Sequence, residues 1–107
     1  MAAYLVFIKE REHDAAAMAE YAPKAGSSLQ GHAGKPLAYY GAIETLEGPD
    51  AKGAVIVEFP NMDEARAWYG SEAYQDARKS RFAGADYRVM LIDGMGSAPT
   101  RVILRRG

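Results

Sequence analysis

Ala54-Val55-Ile56-Val57-Glu58-Phe59-Pro60-Asn61-Met62-Asp63-Glu64 changes from a strand period to a helix period within three residues. The first six positions are mostly β-branched or aromatic types, which suit a pleated, half-buried surface and predict a strand from Ala54 to Phe59. Pro60 stops it. Asn61 can accept from the first free backbone N–H groups of a helix, and Glu64 reaches back from three residues on, a capping box. Met62, Ala65, Trp68 and Tyr69 then recur on one helical face. Gly70-Ser71 interrupts the pattern, and Ser71 is suited to cap a second segment from Glu72 to Phe82. Gly84 ends that segment, and Tyr87-Arg88-Val89-Met90-Leu91-Ile92-Asp93 reads as the last strand.

Upstream, Gly48-Pro49-Asp50-Ala51-Lys52-Gly53 is a hairpin loop by composition. It predicts antiparallel pairing of the 54–59 strand with a strand two spanning Leu37 to Glu47, where Gly41 marks a bulge or close approach. Before it, Asp14 can cap a helix beginning at Ala15, with Met18, Tyr21, Ala22, Ala25 and Leu29 as its apolar face. Pro23 should kink or restart that helix, and Gly31, Ala33 and Gly34 close it. Residues 3–10 form strand one. The order is βαββαβ, and right-handed crossovers fold it into the ferredoxin-like α+β arrangement: a four-stranded antiparallel sheet with two helices on one face. Residues 1–94 make this one domain. Residues 95–107 form a basic tail, flexible or ending in a short edge strand at Val102-Ile103-Leu104.

The chain of 107 residues has room for one core of modest size. It has no cysteine, which excludes disulfides and thiolate metal sites. Two isolated histidines at no ligand spacing argue against a metal site. The apolar run Tyr4-Leu5-Val6-Phe7-Ile8 is too short for a membrane span or a leader's apolar region, so a cytoplasmic protein is expected. Net charge is −4 over residues 1–94 and +3 over the tail. An acidic body offers no basic stripe for nucleic acid. The glycines lack phosphate-loop spacing, and no nucleophile elbow is present.

Strands two and four carry Leu37, Tyr39, Ile43, Val89 and Leu91, apolar content on both sides of the sheet. Two helices cover one side only. The other needs a partner, and a second copy is the simplest one, so a homodimer through the sheet face is expected.

Glu20-Tyr21, Gly31-His32-Ala33-Gly34, Leu46-Glu47-Gly48, Glu58-Phe59-Pro60, Ala67-Trp68-Tyr69, Ser71 with Tyr74, Arg81 and Asp93-Gly94 occur in one order and spacing. This resembles the bacterial family known as domain of unknown function thirteen-thirty, of the dimeric α/β-barrel superfamily, over about residues 3–94. The resemblance implies a homodimer whose sheets face each other with helices outside. It implies no reaction. His32-Ala33-Gly34 departs from the family's His-Gly-Gly, which stiffens that turn.

The candidate site is a mostly apolar pocket between helices and sheet. Tyr74, Arg78 and Arg81 lie at i, i+4 and i+7, so a tyrosine and two cations share one stripe. An inward arginine needs an anion: Glu58, Glu47 or a bound acid. Glu58 alternates with Ala54 and Ile56, which places a carboxylate on an apolar sheet face, either paired with arginine or poised as a general base. His32 and Glu58 are the candidate catalytic residues. Trp68, Ser71, Tyr74, Arg81 and Tyr40 are the candidate ligand-binding residues, with Ser71 also read as a plain helix cap. The expected ligand is a small planar organic acid, with no cofactor. The chemistry, if any, is cofactor-free oxygenation or isomerisation; a haem ligated by His32 has no other support. The competing reading is a non-catalytic dimeric binding or interaction module in which the same residues are core and interface.

Overall fold

Alternation of apolar residues at period two sets the central strands in a computed structural model that describes residues 2–95. Strand β1 (Ala3–Glu12) buries every second residue from Ala3 to Phe7 and strand β3 (Gly53–Phe59) does so throughout, and they pair antiparallel with Leu5 opposite Val57 and Phe7 opposite Val55. Strand β4 (Ala85–Asp93) pairs antiparallel on the other side of β1, and β2 (Lys35–Tyr39) pairs with β3, giving the sheet order β2-β3-β1-β4. Helix α1 (Ala15–Ser28) connects β1 to β2; α2 (Met62–Tyr69) and α3 (Glu72–Gly84) connect β3 to β4. This is the ferredoxin-like α+β fold.

The three cap side chains accept as expected, while among the described residues no hydrogen bond of the Glu64 carboxylate back to Asn61 completes the capping box. Asp14 accepts from the N–H groups of Ala16 and Ala17, Asn61 from Glu64 N–H at 2.8 Å, and Ser71 from Tyr74 N–H at 3.3 Å. The second helix is therefore two helices, broken at Gly70. Pro23 does not restart α1, which is helical from Ala15 to Ser28 with Pro23 inside it. Pro23 and Ala19 are both exposed, so water can serve the Ala19 carbonyl that loses its N–H partner. The buried face of α1 is carried by Ala17, Tyr21 and Ser28, whereas Ala22 points outward.

Strand two is shorter than expected and ends at Tyr39, not Glu47. The reason lies in its partner: β3 has seven residues, so nothing remains to pair with positions 41–47. The irregularity also moves, from Gly41 to a register shift between Pro36 and Ala38. Tyr40 takes a positive φ of 52°, keeps one ladder bond to Ala54 at 2.8 Å, and lays its ring on Gly53, where any Cβ would stand 2.8 Å from it. Glycine at 53 is thus required by contact. Gly34 is required likewise, since a Cβ there would meet Leu29 and the Phe59 ring at 2.7–2.8 Å.

Leu5, Phe7, Val55, Val57 and Phe59 point at the helices, joined by Val89 and Leu91 of β4. The register then puts Tyr4, Val6, Ile8, Ile56, Glu58, Met90 and Ile92 on the outer face. At the far end, Asp86 accepts from Arg11 and His13, each at 3.0 Å, and ties the bulged end of β1 to β4. The basic tail from residue 96 on, with its expected edge strand at Val102–Leu104, lies outside the described residues.

Candidate functional site

Trp68 is the only tryptophan and sits at the centre of the helix–sheet layer. Ala65 and Trp68 are the buried positions of α2, so the helical period that Asn61 starts aims the indole inward. Its ring stacks on Phe59 (5.6 Å between centroids) and its indole N–H donates to Ser28 Oγ of α1 at 3.0 Å. Beside it opens a cavity of about 110 Å³ between α1 and the β1-β3-β2 side of the sheet. Phe7, Tyr21, Val55, Val57 and Trp68 form its inner wall, and Tyr40 closes one side. The exposed Gly26, Pro36 and Tyr39 stand at its mouth. No histidine and no carboxylate lines it among the described residues.

Behind that wall lies Arg81. It is 2% exposed, and its Nε has no hydrogen-bond partner. No carboxylate among the described residues forms an ion pair with it. What surrounds it is aromatic: its guanidinium carbon lies 5.8 Å from the Phe7 ring centroid, 5.1 Å from Phe82 and 5.2 Å from Tyr87. Such contacts contribute roughly 0.5–2 kcal/mol each, whereas a buried charge left without an anion costs several. Aromatic faces offset part of that cost; a counter-ion would offset more.

Two pairs of tyrosine hydroxyls flank the cation. Tyr21, on α1, meets Tyr74, on α3, at 2.8 Å, and Tyr40 meets Tyr87 of β4. In each pair one member lines the cavity (Tyr21, Tyr40). Burial pushes all four hydroxyls above their ordinary value, and the Arg81 charge pulls each of them back down.

The structure brings Trp68, Tyr74, Arg81 and Tyr40 together around this region and leaves the other candidates apart. Ser71 is occupied as a cap, donating to the Trp68 carbonyl at 2.7 Å and accepting from Tyr74. Arg78, on the same stripe as Arg81, reaches the Tyr69 hydroxyl at 3.2 Å at the half-buried rim. His32 sits half-buried in the turn after α1, its N–H donating to the Leu29 carbonyl, and does not line the cavity. Glu58 does not lie beneath the cavity and does not pair with Arg81. It stands on the outer face, opposite Tyr4 and Lys35, where the Tyr4 hydroxyl donates to it at 3.3 Å. The strand parity that turns Val57 and Phe59 inward turns Glu58 outward. Tyr21 and Tyr87 are the site residues that sequence reasoning did not single out. Tyr21 was readable as part of an apolar helix face and of the family pattern, and Tyr87 as the start of the last strand, neither of which marks a site.

Residues 2–95 match the family described as Domain of unknown function (DUF1330). No curated protein matches the chain. Among solved structures, a protein of unknown function from Rhodopseudomonas palustris is similar at a TM-score of 0.70 and 19% identity, covering 89% of this chain and 83% of that one. A dimeric protein of unknown function and ferredoxin-like fold from Bacteroides fragilis is similar at 0.61 and 10%, covering 87% and 96%. SnoaB, a cofactor-independent oxygenase from Streptomyces nogalater, is similar at 0.57 and 9%, covering 92% and 97%. At these identities the likeness concerns the fold. Among the described residues no helix is long and apolar enough to cross a membrane, and no cluster of metal-ligating side chains is present.

Proposed function

The chain belongs to the family described as Domain of unknown function (DUF1330), and we propose that it is a cytoplasmic homodimer binding a small organic acid in the cavity between α1 and the sheet. The observation that carries this reading is Arg81: a buried guanidinium that, among the described residues, has an unpartnered Nε and no carboxylate, behind the Phe7 wall of an apolar cavity. An acid would supply the missing anion while its apolar body filled the space. In this reading Trp68 and Tyr40 are walls, Tyr74 and Arg81 serve the anionic end, and Ser71 holds Tyr74 in place by capping α3. Pairing through the outer sheet face is supported by the apolar row there and by the similar Bacteroides fragilis protein being described as dimeric.

A cofactor-free oxygenase or isomerase is the enzymatic form of this reading, supported only by fold likeness to a protein described as a cofactor-independent oxygenase. With His32 and Glu58 outside the cavity, we take binding rather than turnover as the conclusion. The competing interaction module draws support from Trp68 and Ser71, whose polar atoms are satisfied within the protein.

A thermal-shift screen of aromatic and short aliphatic acids on wild type and Arg81→Ala separates the two. A ligand at 100 times its Kd stabilises by about 2.7 kcal/mol, a readily measured melting shift. At least one acid is expected to raise the melting temperature of wild type and not of Arg81→Ala. A panel without any Arg81-dependent shift rejects the acid site and leaves the interaction module.

A further inference from the structure

Resting on the pairing of two copies through the outer sheet face, we propose that residues 41–47 form an arm that adds to the outer edge of β4 in the second copy, acid to base and apolar to apolar on both sides of that strand.

The arm starts at Tyr40. Its positive φ of 52° turns the chain out of the ladder, a strained conformation for a residue other than glycine. Residues 41–51 then belong to no helix or strand and make no backbone–backbone hydrogen bond among the described residues. Eleven such residues are many for a hairpin connection, which usually takes about two to five, and long connections of this kind tend to be binding loops. The segment is also not polar throughout, since Leu46 is 83% exposed and Ile43 is exposed as well.

Alternation decides what the arm fits. As a strand, residues 43–47 turn Glu44 and Leu46 one way and Ile43 and Glu47 the other, so each side shows one acid and one aliphatic group. The β4 edge shows the inverse. On its helix side the Arg78 guanidinium lies 4.8 Å from the ring of Phe82, which is 60% exposed; on its outer side Arg88 is followed by Met90. Glu44, Glu47, Arg78 and Arg88 form no ion pair among the described residues. The sheet order β2-β3-β1-β4 leaves the far side of β4 without a ladder partner among those residues, and an unpaired edge is a template for an added strand. The chain's own residues 96–107 match that edge poorly, because their only charges are Arg101, Arg105 and Arg106, which would meet arginines.

Reach permits the exchange. Sheets stacked face to face lie ~10 Å apart, and the six residues 41–46 extend up to about 20 Å. A two-fold axis parallel to the strands sets the β2 side of one sheet over the β4 side of the other, so both arms are used at once.

The chain has no cysteine, so introduced ones report contacts cleanly. Leu46→Cys is combined in turn with Phe82→Cys and with Met90→Cys in the full chain and oxidised, with Leu46→Cys alone as the control. One of the two combinations should run as a covalent dimer on a non-reducing gel, and the control should not. Separately, Glu44→Arg with Glu47→Arg should weaken the dimer about 10- to 100-fold, read by light scattering on dilution. Adding Arg78→Glu and Arg88→Glu to that variant should recover most of the loss, a rescue that damage to the fold would not give. A dimer that forms neither disulfide and keeps its affinity after charge reversal overturns the arm, leaves the outer-face pairing standing and opens the β4 edge to residues 96–107. A disulfide closed within one chain also overturns the arm. Wild type found as a single chain at micromolar concentration overturns the arm together with the pairing beneath it.

Discussion

Arg81 and its four tyrosines are chemically one unit. Burial is the first cause of the upward shift at Tyr21, Tyr40, Tyr74 and Tyr87, and at Tyr21 the neighbouring Tyr74 adds to it. The native state therefore prefers these hydroxyls neutral, while in the unfolded chain they return to an ordinary value of 10.0. A folded pKa raised above the unfolded one contributes stability that is whole below about pH 10 and is lost as pH climbs above it. In an alkaline titration these four should stay un-ionised until the chain unfolds, so tyrosinate absorbance and circular dichroism should break together. Tyr21→Phe should move that break upward, having one group fewer to ionise in the unfolded chain. Titration of all seven tyrosines near pH 10 with the fold intact would rule the buried unit out. That Arg81 shares a helical stripe with Tyr74 was legible from their spacing; that it and not Arg78 is buried, with no carboxylate beside it among the described residues, was not. Ala54 and Ile56 make one apolar face of β3, and Val55, Val57 and Phe59 make the other, so alternation alone could not say which face Glu58 shares with the helices.

At the scale of elements, residues whose local chemistry is self-contained were the readable ones. Asp14, Asn61 and Ser71 each cap a helix through their own side chain and a backbone N–H two or three residues on, and no distant contact has to be known. Strand two was misjudged at its far end because its length is set by its partner: β3 stops at Gly53, and Tyr40 leaves the sheet to lie across that glycine. Nothing local to Gly41–Glu47 carries that information. That α1 continues past Pro23 has a related reason, since an exposed face tolerates a carbonyl that a buried one would not. The Ser71 cap carries more than helix stability, because α3 holds both Tyr74 and Arg81. Ser71→Ala should cost about 1 kcal/mol, which for a domain near this size lowers the melting temperature by roughly 4–8 °C. Ser71→Asp, which keeps an acceptor, should recover most of it. Equal loss in both variants, measured by thermal melts, would mean that Ser71 acts by packing and not by capping.

For the whole molecule, the decisive feature is a sheet covered on one side only. Val6 faces Ile56 on one flank and Met90 on the other, and Tyr4 lies beside Ile92, so an apolar band crosses three strands of the outer face. Met90 is 37% exposed and Ile92 49%, while the matching inner positions Val89 and Leu91 pack on the core. Scattered apolar surface is ordinary; a contiguous band with a charged rim, here Glu58 and Arg88, is the surface on which the proposed pairing rests. A two-fold pair would set this band against itself, and a stable interface of that kind buries about 1,200–2,000 Å² in total. Ile56 is at the middle of the band, so Ile56→Glu would place two carboxylates close together in apolar surroundings, one from each copy. Light scattering should report twice the chain mass for wild type at micromolar concentration and a single chain for Ile56→Glu, with helix content unchanged because the inner face is untouched. Ala19→Glu, on the exposed side of α1, is the control and should stay paired. Since the cavity lies on the inner side of the same sheet, benzoate titrated into the monomeric variant then tells whether the two faces are coupled. Unchanged affinity makes each copy a complete binding unit. Lost affinity means that the pairing of sheets holds the cavity wall of Phe7 and Val55 in shape.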